Sequence, residues 1–268
     1  MSKKKHKHPN VYKPNLKSTS SVKETVDEVK ENITNEEQKE DAPVQTETYV
    51  TAGDMDCYVY FDVQFTGLRK NSSIISIGLV DAAQRTFYAE LTDYNKRQCD
   101  NWIKNNVLSV LINPENSFNN ETGEYRMTGT KEEVSEKLWD WLNLREEQNG
   151  GKIVQFVGDV AQYGFVLLMD LLLNDIKKTT LNLPTWMSPA LHDLNQELAG
   201  LLYRNKPVNV SKEEFDSNHV PTSQAFSLNR VEIANSIGVK CDDKTYHQAL
   251  IQALIIKAIH YYIWNLTA

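Results

Sequence analysis

Tyr60-Phe-Asp-Val-Gln-Phe-Thr-Gly-Leu68 is the stretch on which the fold turns. From Cys57 to Phe65 the residues are largely β-branched and aromatic, and Thr66-Gly67 breaks the run, the pattern of a strand ending in a turn. Successive side chains of a strand point to opposite faces, so Asp62 and Gln64 share one face. A carboxylate and a second polar acceptor at the end of an otherwise apolar strand are a candidate site. Ile74-Ile-Ser-Ile-Gly-Leu-Val80 and Thr86-Phe-Tyr-Ala-Glu-Leu91 follow as short runs with turn-like links. Three strands joined this way predict an antiparallel meander.

Downstream the period changes. A helix is expected over Gln98–Leu111, with Trp102, Ile103, Val107, Val110 and Leu111 on its apolar side. Thr130-Lys-Glu-Glu133 has the capping-box pattern and opens a helix through Leu142, which Asn149-Gly-Gly ends. Ile153-Val-Gln-Phe-Val157 reads as a buried strand, followed by a helix over Ala161–Leu173. A region punctuated by Pro184, Pro189, Pro207 and Pro221 holds a helix predicted over Pro189–Tyr203. Helices over Ser227–Ser236 and Tyr246–Leu266 complete the chain. No internal repeat is present. A meander followed by alternating helix and strand indicates an α/β fold, a mixed sheet covered by helices.

The 268 residues carry 29 Lys and Arg against 36 Asp and Glu, a formal charge of −7 that argues against indiscriminate nucleic-acid binding. Residues 1–20 hold six Lys and no acid, and residues 21–50 hold three Lys and nine acids. The two segments cancel, so the net charge belongs to the rest. Apolar side chains there are too sparse to offset ordering entropy, and residues 1–52 are expected to be a disordered charged tail before a folded domain over 53–268. Val22–Ile33 is the one stretch of that tail with a helical face. The start of the chain lacks the apolar core of a signal peptide, and no apolar stretch is long enough for an ordinary membrane span. Cys57, Cys99 and Cys241 form no paired motif and read as reduced thiols, so a cytoplasmic protein is expected; the Lys- and Asn-rich composition suits an AT-rich genome.

The segment around Asp62 resembles the first motif, Asp-x-Glu, of the DEDDh 3′–5′ exonucleases, the DnaQ-like branch of the ribonuclease H fold. The likeness is greatest to the small mycobacterial-type 3′–5′ exoribonuclease family. It extends through Ile74–Val80, Phe87-Tyr-Ala-Glu90 and Trp102-Ile-Lys-Asn-Asn-Val-Leu108. It returns at Val154-Gln-Phe-Val-Gly-Asp-Val-Ala-Gln-Tyr-Gly-Phe-Val-Leu-Leu168, at Asp193-Leu-Asn-Gln-Glu-Leu-Ala199, at Ser227-Leu-Asn-Arg230 and at Tyr246-His-Gln-Ala-Leu-Ile-Gln-Ala253. Residues 56–265 are covered in the family's order. The resemblance implies a ribonuclease H-like fold and a site where four carboxylates hold two Mg²⁺ or Mn²⁺ ions while a His activates the attacking water.

Carried over position by position, the bridging Asp falls on Asp62 and its partner Glu on Gln64. The second-motif Asp falls on Gly164, with Asp159 a nearby carboxylate. In the third motif His247 keeps the general-base position and Gln252 replaces the Asp. The amides nearly preserve shape while removing charge, so the expected cofactor load is none, or one weakly bound divalent ion at Asp62 with Asp159. Arg69 and Lys70, just past the first motif, are candidates for meeting a phosphate, or plain loop residues in water. Asp159 fits an ordinary strand-end residue equally well, and His192 and Asp193 fit the structural start of a helix.

Three functions follow from this reading. The chain is a catalytically degenerate exonuclease homologue binding a single-stranded RNA or DNA end, a nucleotide or a protein. Alternatively it is an active nuclease with a site rewired around Asp62, Asp159 and His247, or a protein–protein scaffold with a vestigial groove.

Overall fold

A computed structural model describes residues 52–148, 153–174, 182–203, 225–242 and 245–267. The expected tail, apart from Ala52, and the Asn149-Gly-Gly stop lie outside the described residues. The strand read first is β1, Tyr58–Phe65, and it sits inside a seven-stranded sheet. Its neighbours are β2 (Ile74–Asp81), antiparallel, and β6 (Val154–Gly158), parallel. β3 (Thr86–Leu91) pairs antiparallel with β2, completing the meander as expected. β7 (Met187–Asp193) lies parallel beside β6 at one edge. At the other edge, a hairpin of β4 (Ser117–Asn119) and β5 (Glu124–Gly129) joins β3 through a parallel β5. The strand order is β4-β5-β3-β2-β1-β6-β7, a mixed sheet of the kind the α/β reading calls for.

Two cores sandwich this sheet. Val59, Phe61 and Val63 of β1 enter one of them, against α2 (Lys131–Gln148) and α3 (Gln162–Leu173). Tyr60 enters the other, against α4 (Leu194–Tyr203), α5 (Arg230–Ser236) and α6 (Ala249–Thr267). The period of two therefore assigns Asp62 and Gln64 to the α6 side of the sheet. A short α1 (Asn101–Asn106) covers a third cluster of Ile75, Cys99, Ile103 and Val107.

Local chemistry sets several boundaries. The capping box is formed: Thr130 N–H donates to Glu133 Oε2 at 2.8 Å and Glu133 N–H to Thr130 Oγ1 at 3.3 Å. Trp141 is buried and donates its indole N–H to the Gly123 carbonyl at 2.9 Å, and the partly buried Trp139 donates to the Leu172 carbonyl at 2.8 Å. α3 stops at Asn174, whose φ of 30° makes a left-handed cap.

Other boundaries differ from the sequence reading. The helix expected over Pro189–Tyr203 starts only at Leu194, because Met187–Asp193 adds to the sheet as β7. Pro189 is tolerated there because β7 is an edge strand, where a missing N–H need not interrupt a ladder. The helix expected over Gln98–Leu111 is shortened to α1 and flanked by 3-10 turns at Lys96–Gln98 and Leu108–Val110. Asp100 caps α1 by accepting from Ile103 N–H at 2.9 Å, and Asn105-Asn106 are poor helix residues at its end. The last two helices begin three residues later than expected, at Arg230 and Ala249.

α6 lies close on the sheet at one glycine. A Cβ at Gly78 of β2 would overlap the backbone of Ala249 and Leu250. Gly78→Ala is therefore expected to push the first turn of α6 off the sheet and to cost about 3 kcal/mol or more of stability. Urea denaturation of the two proteins measures this.

Candidate active-site cleft

The C-terminal end of β1, the β6–α3 link and the start of α6 converge on a cleft of about 600 Å³. It is lined by Asp62, Gln64, Asp159, His247 and Gln252, so five residues singled out from the sequence meet in one place. Gly164 is not among the lining residues. It lies in α3, and a Cβ there would rest 3.8 Å from Phe61 and Val63, the β1 side chains that enter the opposite core. Arg69 and Lys70 are exposed in the β1–β2 loop, next to Gly67 and Leu68, which do line the cleft.

Within the cleft each carboxylate has a partner. Gln64 Nε2 donates to Asp62 Oδ2 at 2.7 Å. Burial pushes the Asp62 carboxyl up to about 7, the Gln64 hydrogen bond opposes the rise, and the Asp159 charge adds to it. Asp159 faces Arg230, which holds it with two parallel bonds: Nε to Oδ2 at 2.7 Å and Nη2 to Oδ1 at 2.9 Å. The remaining guanidinium donors go to the carbonyls of Ala225 and Leu228 and to Asn195 Oδ1. All five N–H donors of Arg230 are thus engaged, and its side chain is only 5% exposed.

The link that carries Asp159 is strained. Val160 is β-branched yet has φ 49°. Asp193, at the end of β7, holds it there by accepting from Val160 N–H at 3.1 Å, from Asn195 N–H at 3.0 Å and from the Gln162 side-chain amide. His247 sits at the cleft edge, its ring 5.0 Å from Trp102 and 5.1 Å from Tyr246 in edge-on contacts, and burial lowers its pKa. Burial pushes the Tyr246 hydroxyl up to about 12. Four exposed apolar side chains rim the same cleft: Leu68, Trp102, Val160 and Phe226.

Arg230, the Phe226 rim and the edge-on contact of Trp102 with His247 were not singled out from the sequence. Asn229-Arg230 was quoted as part of a family segment, and a cation beside a cap at the start of an apolar helix is the signal that could have exposed the pair with Asp159. Asn229 does cap α5, accepting from Val231 N–H at 3.0 Å.

The residues present do not fit a metal pair. Two divalent ions about 4 Å apart repel by roughly 17 kcal/mol at an effective dielectric of ~20, which four carboxylates would offset. Here Asp62 supplies one charge, Arg230 cancels that of Asp159, and Gln64 and Gln252 supply none.

No family model matches the sequence, and no curated protein matches it. Among solved structures the chain is similar to Schizosaccharomyces pombe Pop2p in its Mg²⁺- and Mn²⁺-bound form, with TM-score 0.42, 16% identity and coverage of 77% of this chain and 82% of that one. It is similar to the RNase domain of yeast Pop2, with TM-score 0.44, 16% identity and 78% of each chain covered. A third likeness is to the Neurospora crassa Pan2 catalytic unit, with TM-score 0.37, 12% identity and coverage of 83% of this chain and 29% of that one.

Two substitutions test the electrostatics. Asp62 is easier to protonate folded than unfolded, so its contribution is complete in acid and is lost as pH rises towards 7 and beyond. Asp62→Asn keeps an acceptor for Gln64, and is expected to raise stability at pH 8 by on the order of 1–2 kcal/mol while leaving it unchanged near pH 4. Denaturation curves at the two pH values give the comparison. Arg230→Met leaves the Asp159 charge buried and unpaired, and a loss of about 3–5 kcal/mol is expected. Adding Asp159→Asn should return most of it, which a double-mutant cycle reads directly.

Proposed function

We propose that this chain is a catalytically degenerate 3′–5′ exonuclease homologue whose cleft binds the end of a single-stranded RNA or DNA, or a nucleotide, without cutting it. The observation that carries this reading is the Asp159–Arg230 pair. It occupies the second carboxylate that a rewired metal site would need, and it sets a fully bonded cation in the wall of the cleft. Asp62 remains, shielded by Gln64 and half protonated near neutral pH. His247 then has no metal-bound water to activate.

What is left suits binding. Trp102 and Phe226 offer exposed faces on which bases stack, and Leu68 is a wedge beside them. Neutral amides at Gln64 and Gln252 repel a phosphate less than four carboxylates without metal would. Arg69 and Lys70 stand in the adjoining loop to meet the backbone. One weakly held divalent ion at Asp62 is compatible with this arrangement; a pair is not. No helix among the described residues is long and apolar enough to cross a membrane.

The purified chain, incubated with 5′-labelled single-stranded RNA and DNA in Mg²⁺ and then Mn²⁺, is expected to release no mononucleotides. It is expected to bind the same oligonucleotides by fluorescence anisotropy, with Trp102→Ala weakening binding roughly tenfold. A metal-dependent ladder that vanishes with Asp62→Ala would overturn the proposal. Failure to bind any oligonucleotide would leave the scaffold reading in its place.

A further inference from the structure

Away from the cleft, His192 of β7, Glu197 of α4 and His260 of α6 converge on one point. One ligand atom from each lies within 4.8 Å of the others, and no other group of three His, Cys, Asp or Glu among the described residues does so. His192 Nε2 is 2.6 Å and His260 Nε2 3.5 Å from Glu197 Oε1. None of the three lines the cleft. We propose that His192, Glu197 and His260 form a binding site for a zinc-type divalent transition-metal ion that clasps β7, α4 and α6 together.

Four observations support the assignment. The first is ligand chemistry: two imidazoles and one carboxylate are the donor set that suits Zn²⁺, whereas Mg²⁺ prefers oxygen ligands and keeps its waters. The second is spacing. Tetrahedral bonds of ~2.1 Å place ligand atoms about 3.4 Å apart, so the His260–Glu197 separation already fits. The His192–Glu197 hydrogen bond needs to open by under an ångström.

The third is orientation. Tyr60 Oη lies 2.9 Å from His260 Nδ1, which leaves Nε2 as the nitrogen facing Glu197. A partner on the far ring nitrogen is what fixes the tautomer of a metal-bound histidine. Tyr58 sits edge-on to both rings, 4.9 Å from His260 and 5.6 Å from His192, and walls the site. The fourth is an orphan atom: Glu197 Oε2 is buried without a hydrogen-bond partner. A bound cation would satisfy it.

His192 and Glu197 side chains are each 27% exposed and His260 only 2%, so an ion has a way in and one position open to water. Tying an edge strand to two helices is the work of a structural ion, and binding is expected to stabilise the fold by linkage.

The test uses the full chain with His6→Ala and His8→Ala, since those two residues in the Lys-rich start are another possible zinc ligand pair. After chelator treatment and dialysis, Zn²⁺ is titrated against a chromophoric chelator. One ion per chain is expected, with a rise in Tm that Mg²⁺ does not produce. His192→Gln and Glu197→Gln should each weaken binding tenfold or more, and Tyr60→Phe by about tenfold. His192 is the informative position because it is half-buried, and its variant is checked for an unchanged near-ultraviolet circular dichroism spectrum before titration. Co²⁺ substitution should give the absorption of a tetrahedral site in the parent chain and not in His192→Gln. No zinc uptake by the His6/His8 variant, or equal uptake after His192→Gln and Glu197→Gln, overturns the proposal and leaves an ion-paired His–Glu–His cluster.

Discussion

A strand with a core on each side must serve two masters, and β1 is such a strand. Its odd-numbered residues from Val59 to Val63 fill the core beneath α2 and α3, while Tyr60 fills the one beneath α6. A slip of one residue would exchange Phe61 and Val63 for Asp62 and Gln64, burying polar groups in the first core and opening the cleft floor. Pairing with β2 and β6 fixes the register that prevents it. The close seat of α6 over Gly78 then sets how deep the cleft is, because the helix that carries Gln252 and follows His247 rests on the meander there.

Charge inside the cleft is arranged to cancel locally. Asp159 and Arg230 neutralise each other, and Asp100 is occupied with capping α1. Asp62 is left with an amide in place of a cation, and burial makes it a poor acid. The ion pair and the amide together leave the cleft floor with little net charge. Its rim, by contrast, exposes the aromatic faces of Trp102 and Phe226.

The meander, the capping box, β6 and the Asp62/Gln64 face were legible in the sequence, because each carries a local signal: a β-branched and aromatic run, an alternation of side chains, or a Thr-x-x-Glu spacing. Pro189–Asp193 reads as the start of a helix in the sequence but belongs to β7, because an edge strand containing Pro189 carries no local strand signal; only its pairing with β6 makes it one. The β4–β5 hairpin was missed although Asn119–Gly123 is a turn, with Gly123 at φ 67° and Asn119 Oδ1 accepting from Glu121 and Thr122 N–H. In the cleft, the sequence supplied Asp62, Gln64, Asp159, His247 and Gln252 as neighbours. Arg230 lies 71 positions from Asp159, and no local pattern announces a pair that far apart.

The guanidinium clamp also bears on how such a cleft can change over generations. Losing Arg230 alone strands the Asp159 charge, and gaining a carboxylate at position 64 alone sets a second acid against Asp62. Either single step lowers stability by itself, so a more highly charged floor needs several changes together. The floor of the cleft is thereby locked by coupling between neighbours, while the exposed aromatic rim can vary without disturbing it.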